Sequence, residues 1–230
     1  MVDRVQEVLN WSRYNLMNIN WSKTKEMIIG PLSKQSIPQL DVSGNIIQRV
    51  NVFKLLGVSI DNNLKWDSHI NSICSKASSR LHFLKLIKRY LLSNDDLLHF
   101  YVCFIRPVLE YACPAWHSSL TVEQSKRIEH IQRRALIIIF GYKLNYSELC
   151  VSLNLATLSD RRETLCKLFF SSMLNESNCL HYLLPAPRAS DLVSKFRVAY
   201  QYAPQAAKTE RYKKSFLPFA LQHYQQCITN

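Results

Sequence analysis

One run of the sequence restricts the fold more than any other. Ile70, Ile73, Ala77, Leu81, Leu84 and Ile87 recur at spacings of three and four, which places all of them on one side of a helix. The pattern predicts a helix over residues 66–90, long enough to need other helices against its apolar stripe. The residues that follow supply them. Ser93 reads as an N-cap with Asp96 at the third helical position, the arrangement of a capping box. That helix is expected to run to Arg106, where Pro107 ends or kinks it. Thr121 caps another helix, with Val122, Ile128, Ile131, Ala135 and Ile138 along one side and Arg127, Arg133 and Arg134 on others. Two further helices are expected over 146–153 and 158–174.

Upstream the pattern is mixed. Val5, Val8, Leu9, Trp11 and Leu16 predict a helix over 3–17. Residues 23–30 end apolar and β-branched before Gly30-Pro31, the signature of a strand that stops. Residues 31–38 read as a loop. Residues 39–42 and 46–48 flank Ser43-Gly44-Asn45 as a small hairpin, and 52–60 as another strand. The fold class is therefore mainly α (α+β): a short helix-plus-strand/hairpin segment, then a helical body. Three stretches are expected: 1–62, 63–175, and a mixed tail over 176–230 broken by Pro185, Pro187, Pro204 and Pro218. The first boundary falls near 62–67.

Composition narrows the function. The chain has four glycines, where average usage would give about 16. Gly30, Gly44, Gly57 and Gly141 stand far apart, so neither a dinucleotide nor a Walker phosphate cradle can be built from them. Lys and Arg outnumber Asp and Glu by 29 to 17, a net charge of +12, which favours a polyanionic partner, nucleic acid before an anionic membrane surface. Residues 68–94 carry Lys76, Arg80, Lys85, Lys88 and Arg89 and no acid. At 100° per residue these cations flank the apolar stripe, with Lys88 beneath it. A second basic tract, 195–214, contains one acid, Glu210. No apolar run approaches the ~20 residues that span a bilayer, and residues 1–7 lack a signal core. The seven cysteines include no C-x-x-C pair and read as small reduced hydrophobes of an intracellular protein. No Cys/His cluster has zinc-ligand spacing.

Tests for particular chemistries find little. No His is followed two residues later by Asp or Glu, as an iron oxygenase triad would need, and H-E-x-x-H and G-x-S-x-G are absent. His99 and His117 read as packed or surface residues. Asp95-Asp96 is the one adjacent acidic pair to compare with a two-magnesium polymerase centre. It opens a helix rather than a β-turn, where acids favour the positive end of the helix dipole.

Three ordered passages carry a resemblance. The first runs from Val2 through Trp11 and Asn15-Leu16-Met17-Asn18-Ile19-Asn20 to Lys23-Thr24-Lys25-Glu26-Met27. The second is Phe53-Lys54-Leu55-Leu56-Gly57-Val58-Ser59-Ile60-Asp61 with Leu64-Lys65-Trp66 and His69-Ile70. The third comprises Ile105-Arg106-Pro107, Glu110-Tyr111-Ala112-Cys113-Pro114 and Trp116, then Ile131-Gln132-Arg133-Arg134-Ala135. Together with Arg211-Tyr212-Lys213-Lys214-Ser215-Phe216-Leu217-Pro218, they resemble the end of the palm, the thumb and the post-thumb region of non-LTR (LINE-type) retrotransposon reverse transcriptases.

The resemblance implies a truncated piece of an RNA-directed DNA polymerase. The family's magnesium-binding carboxylates would lie upstream of Met1. Without them phosphoryl transfer loses its main electrostatic stabilisation, so the expectation is no catalytic residue, metal, cofactor or small-molecule substrate. What remains is backbone contact to a primer–template duplex. The residues assigned to it are Lys76, Arg80, Lys85, Lys88 and Arg89 on the first long helix, and Arg127, Arg133 and Arg134 on the later one. Lys23 and Lys25 match the palm motif's lysines, one of which the family places near the incoming nucleotide's phosphates. The alternative is an expressed mobile-element remnant with no binding role. A third reading comes from the passage around Leu55–Arg80, which is also similar to the N-terminal region of an AlkB-type alkylated-DNA repair homologue. The residues for 2-oxoglutarate dioxygenase or methyltransferase chemistry are not in the sequence.

Overall fold

The computed structural model describes residues 2–42, 44–141, 145–189 and 200–225. Ser43 of the expected hairpin turn, the 195–199 part of the second basic tract and Cys227 lie outside the described residues. The chain divides into two compact units, Met1–His69 and Ile70–Asn230. The class is mainly α with two-stranded sheets.

The first unit opens with α1 (Val2–Tyr14). Its Leu9 is buried with Val42 and Ile47, under a half-buried ring of Val5, Ile19, Trp21 and Leu40. The strand expected over 23–30 shrinks to β1 (Lys25–Glu26), which pairs in parallel with β4 (Gln48–Arg49). Thr24 instead returns its amide to Asn20 and Trp21 as a turn, which leaves no extended run before it. The 31–38 loop contains a 3₁₀ turn at Pro31–Lys34, started by a proline whose φ suits it. The small hairpin forms as β2 (Asp41–Val42) against β3 (Asn45–Ile46), with the Asp41 carboxylate accepting from the Gly44 amide at 2.9 Å. Arg49 fastens this region. Its Nε donates to Glu26 at 2.9 Å, and its two Nη atoms donate to the Ile37 and Pro38 carbonyls at 2.6 Å each.

The strand expected over 52–60 is in fact a second hairpin, β5 (Val52–Leu55) with β6 (Val58–Asp61), paired from Val52↔Asp61 to Leu55↔Val58. Leu56 and Gly57 form the turn at φ 45° and 88°. A two-residue hairpin turn with both φ values positive matches the right-handed twist of its strands. Leu56 accepts a conformation that apolar residues rarely adopt, which is why the break is hard to see in the letters. The Asp61 carboxylate then accepts from the Ser68 amide at 3.2 Å and from its hydroxyl. An acceptor there satisfies the open amides at the start of α2 (Asp67–Lys88).

In the second unit, Ile70, Ile73, Ala77, Leu81 and Leu84 of α2 are all buried, as the stripe requires. Ser93 caps α3 (Asn94–Phe100), accepting from the Asp96 amide at 3.1 Å. Of the two outcomes expected at Pro107, an end or a kink, the helical stretch does not end there but changes its winding just before it. The chain widens into a π turn at Tyr101–Ile105 and continues as α4 (Arg106–Glu110). The buried residues are Leu97, Tyr101, Ile105 and Leu109, each four apart. That spacing would drift about 120° around an ideal helix of 3.6 residues per turn, and a wider turn takes up the drift. Pro107 then lies in the first turn of α4, where a missing amide costs least.

Thr121 caps α5 (Val122–Phe140) in a complete capping box with Gln124. The buried face is Ile128, Ile131, Ala135, Leu136 and Ile139 with Gln124 and Gln132. Val122, expected on that face, is 72% exposed, and Ile138 is only half-buried. Gln132 is fully buried and fully used. It accepts from the Tyr101 hydroxyl at 2.7 Å and donates to the Tyr146 hydroxyl at 2.9 Å and the Ala156 carbonyl at 3.1 Å. It thereby joins the π turn, α5, α6 (Tyr146–Ser152) and the start of α7 (Leu158–Met173). Glu129 accepts from the Leu158 and Ser159 amides at 3.2 Å each, placing a carboxylate at the positive end of α7. The described tail packs back on α7. Tyr202, and Ala220 and Leu221 of α9 (Phe216–His223), bury against Phe170, and the short α8 (Glu210–Lys213) precedes it.

Candidate nucleic-acid interface

α2 and α5 run side by side in the same direction. Near their starts, the Arg127 guanidinium donates to the Asn71 side chain at 2.5 Å. Near their ends, the Lys88 ammonium donates to the Ile138 carbonyl and, at 3.0 Å, to the Ile139 carbonyl. Between these two bridges lies a cleft of about 250 Å³, lined by Ser78, Leu81, His82 and Lys85 from α2 and Arg134, Ile137 and Ile138 from α5. Lys85 and Arg134 are both exposed, and neither has an ion-pair or hydrogen-bond partner among the described residues. No carboxylate lines this cleft.

The cations assigned from the sequence are thus sorted by the helices that carry them. Lys85, Arg127 and Arg134 share the α2–α5 seam. Arg89 is exposed just past the end of α2. Lys76 and Arg80 lie on the opposite flank of α2, where the Arg80 guanidinium donates to the Phe104 carbonyl of the π turn. Arg133 faces α6, with its guanidinium carbon 5.9 Å from the centre of the Tyr146 ring. Lys88 serves α5's last carbonyls, which a helix leaves without internal partners. In the first unit, Lys25 donates to its register partner Gln48 at 2.5 Å, while the Lys23 side chain is exposed. His82, which lines the seam, was not among the sequence candidates. Its i, i+3 relation to Lys85 is the one signal that would have found it.

A second polar cluster lies inside the unit. Arg162 is fully buried beneath Trp116, with its guanidinium carbon 5.8 Å from the ring centre. Its Nε donates to His117 Nδ1 and its Nη2 to the Ser125 hydroxyl, both at 3.3 Å. Its Nη1 is buried without a hydrogen-bond partner among the described residues. His117 also meets Glu163 at 3.3 Å, and Glu163 accepts from the Tyr224 hydroxyl at 2.9 Å. Burial and the neighbouring guanidinium hold the His117 imidazole below its usual range, against the opposite pull of Glu163. The Cys113 and Cys166 thiols meet beside this cluster, and the hydrogen bond from Cys166 lowers the Cys113 thiol. The cluster has no exposed nucleophile. It joins the segment around Trp116 to α5, α7 and α9.

Asp96 is engaged by the Ser93 hydroxyl at 2.6 Å and works as part of a cap. His99 is exposed and meets Cys103 at 3.5 Å. A shallower cleft of about 640 Å³ between α6 and the start of α7 is lined by Tyr146, Cys150, Leu155 and Asp160 among others. Its Asp160 is engaged by the Thr157 hydroxyl at 2.7 Å. Among the described residues, no three His, Cys, Asp or Glu side chains are grouped as a metal would need. No described helix is long and apolar enough to cross a membrane. No family model, curated protein or solved structure matches the chain.

Proposed function

We propose that the chain is the terminal part of a non-LTR-type reverse transcriptase that grips a nucleic-acid duplex without catalysing a reaction. The α2–α5 seam carries this reading. Two parallel helices hold Lys85 and Arg134 over one acid-free cleft, with the seam pinned at both ends. Cations held this way meet phosphates wherever the bases fall, so contact is independent of sequence. The net charge of +12 adds long-range attraction. The order of elements, helix, short strands, hairpin and helical body, fits the palm-to-thumb succession that the sequence passages resemble. The expected location is inside the cell, where reduced cysteines and nucleic acid coincide.

The test is the affinity of the full chain for an RNA–DNA hybrid as a function of salt. Two to four phosphate contacts give a log–log slope of about −2 to −4; a flat response overturns the reading. One observation favours the alternative of a remnant without a binding role. In the first unit Leu16 and Leu56 are 95% and 84% exposed, apolar surface turned to solvent. Aggregation together with a flat salt response supports that alternative.

A further inference from the structure

α2 has a second charged face, and it differs in kind from the seam. Lys76, Arg80, Phe83 and Ile87 follow one another at spacings of four, three and four, so they form one row along the helix. At 100° per residue this row lies about 160° around α2 from His82 and Lys85. Phe83 is 57% exposed. The π turn supplies the neighbouring ring. Phe104 is 56% exposed and stacks on the half-buried Phe100, with centroids 5.0 Å apart and planes 20° from parallel. The Arg80 hydrogen bond to the Phe104 carbonyl holds this stacked pair beside the cation row.

Phe83 and Phe104 are both exposed, and Arg80, one turn before Phe83, links their two elements through the Phe104 carbonyl; apolar surface set among cations suits a docking face. Their charge surroundings select the occupant. Residues 68–94 contain no acid, and Lys76 is exposed with no partner among the described residues. An apolar peptide would match the rings and leave the cations unused. A single nucleic-acid strand matches both, since unpaired bases stack on aromatic faces of any sequence while the phosphates meet Lys and Arg. A duplex, whose bases are already stacked, gains nothing from the rings.

We propose that Lys76, Arg80, Phe83 and Phe104 form a stacking platform for a single-stranded segment of nucleic acid. The platform shares its class of partner with the α2–α5 seam and uses none of its residues, so the two can fail separately. The platform admits a fluorescein-labelled oligothymidylate of about ten nucleotides, a length within the range covered by small single-strand sites.

The experiment is anisotropy with that oligonucleotide, and in parallel with an RNA–DNA hybrid, on the full chain. Phe83→Leu keeps an apolar side chain and removes the π face. It is expected to weaken oligothymidylate binding by about fivefold or more, with the salt slope and the hybrid affinity unchanged. Phe83→Trp restores or strengthens binding to the single strand. Lys76→Ala lowers the single-strand salt slope by about one. The platform is overturned if the wild-type chain does not bind the oligonucleotide, or if Phe83→Leu and Phe83→Trp both bind it as the wild type does. It is equally overturned if Phe83→Leu weakens hybrid and single strand alike. Self-association that Phe83→Leu abolishes, without oligonucleotide binding, assigns the face to a protein contact instead.

Discussion

Lys88 separates a residue that holds the fold from one that holds nucleic acid. From its sequence position it belongs with the phosphate-binding cations; in the structure its ammonium donates to the Ile138 and Ile139 carbonyls. Ile137, one residue earlier, already accepts from the Gly141 amide at 2.9 Å, and Ile138 and Ile139 are among the last carbonyls that an α-helix leaves without an internal partner. Lys88→Met removes the charge and keeps most of the aliphatic stem. A hydrogen bond from a charged donor contributes ~1.5–3 kcal/mol when buried. Lys88 is exposed, so water recovers part of that, and the loss is expected at about 1–2 kcal/mol, helix-dipole contribution included. For a unit of this size that lowers the melting temperature by about 2–8 °C. Circular dichroism melts give the shift, and hybrid binding against salt gives the slope, which should not move. An unchanged melt with a slope smaller by about one would show that Lys88 faces a phosphate, and the structural assignment would be wrong.

Other substitutions probe the supports of the seam. Gln132→Leu strands the Tyr101 hydroxyl and the Ala156 carbonyl. It should cost about 2–4 kcal/mol by urea denaturation, with Tyr101→Phe added to Gln132→Leu recovering part of it. Thr121→Ala removes the α5 cap and should cost about 1 kcal/mol, read as a melt about 2–4 °C lower. The depressed His117 imidazole makes stability depend on pH. Its contribution is complete above the unfolded value of about 6.5 and is lost as pH falls through it toward the lower folded value. The urea midpoint should therefore drop between about pH 7.5 and about pH 5.5, and His117→Gln should flatten that change; an equal drop in the variant would place the titrating group elsewhere.

Features decided within a few residues were legible in the sequence. The α2 stripe, the Ser93 and Thr121 caps and the 39–48 hairpin all appear where local spacing puts them. What escaped depended on distant partners or on rare backbone states. Leu56 at positive φ hides a hairpin turn inside an apolar run. The π turn that carries the chain past Pro107 follows from the four-residue spacing of Leu97, Tyr101, Ile105 and Leu109, a pattern that looks helical until its drift is summed. Nothing in the letters distinguishes the adjacent Arg161 and Arg162. Arg161 pairs with Glu110 at 2.5 Å, while Arg162 lies fully buried. For the site, charge marked the right helices but not the right faces. Lys76 and Arg80 share α2 with Lys85, yet α5 covers only one flank. That flank is where Arg134 arrives from 49 residues further along the chain.

The seam is tested most directly by changing Lys85 and Arg134 together. Both line the cleft, both are free of partners among the described residues, and neither supports the core. Lys85→Ala with Arg134→Ala should leave the melt within about 4 °C of wild type, since exposed substitutions away from caps and cores change stability by about 0.5 kcal/mol or less each. The same double variant should reduce the salt slope of RNA–DNA hybrid binding by about two. A double variant that binds the hybrid with the wild-type affinity and slope would contradict a duplex grip between α2 and α5.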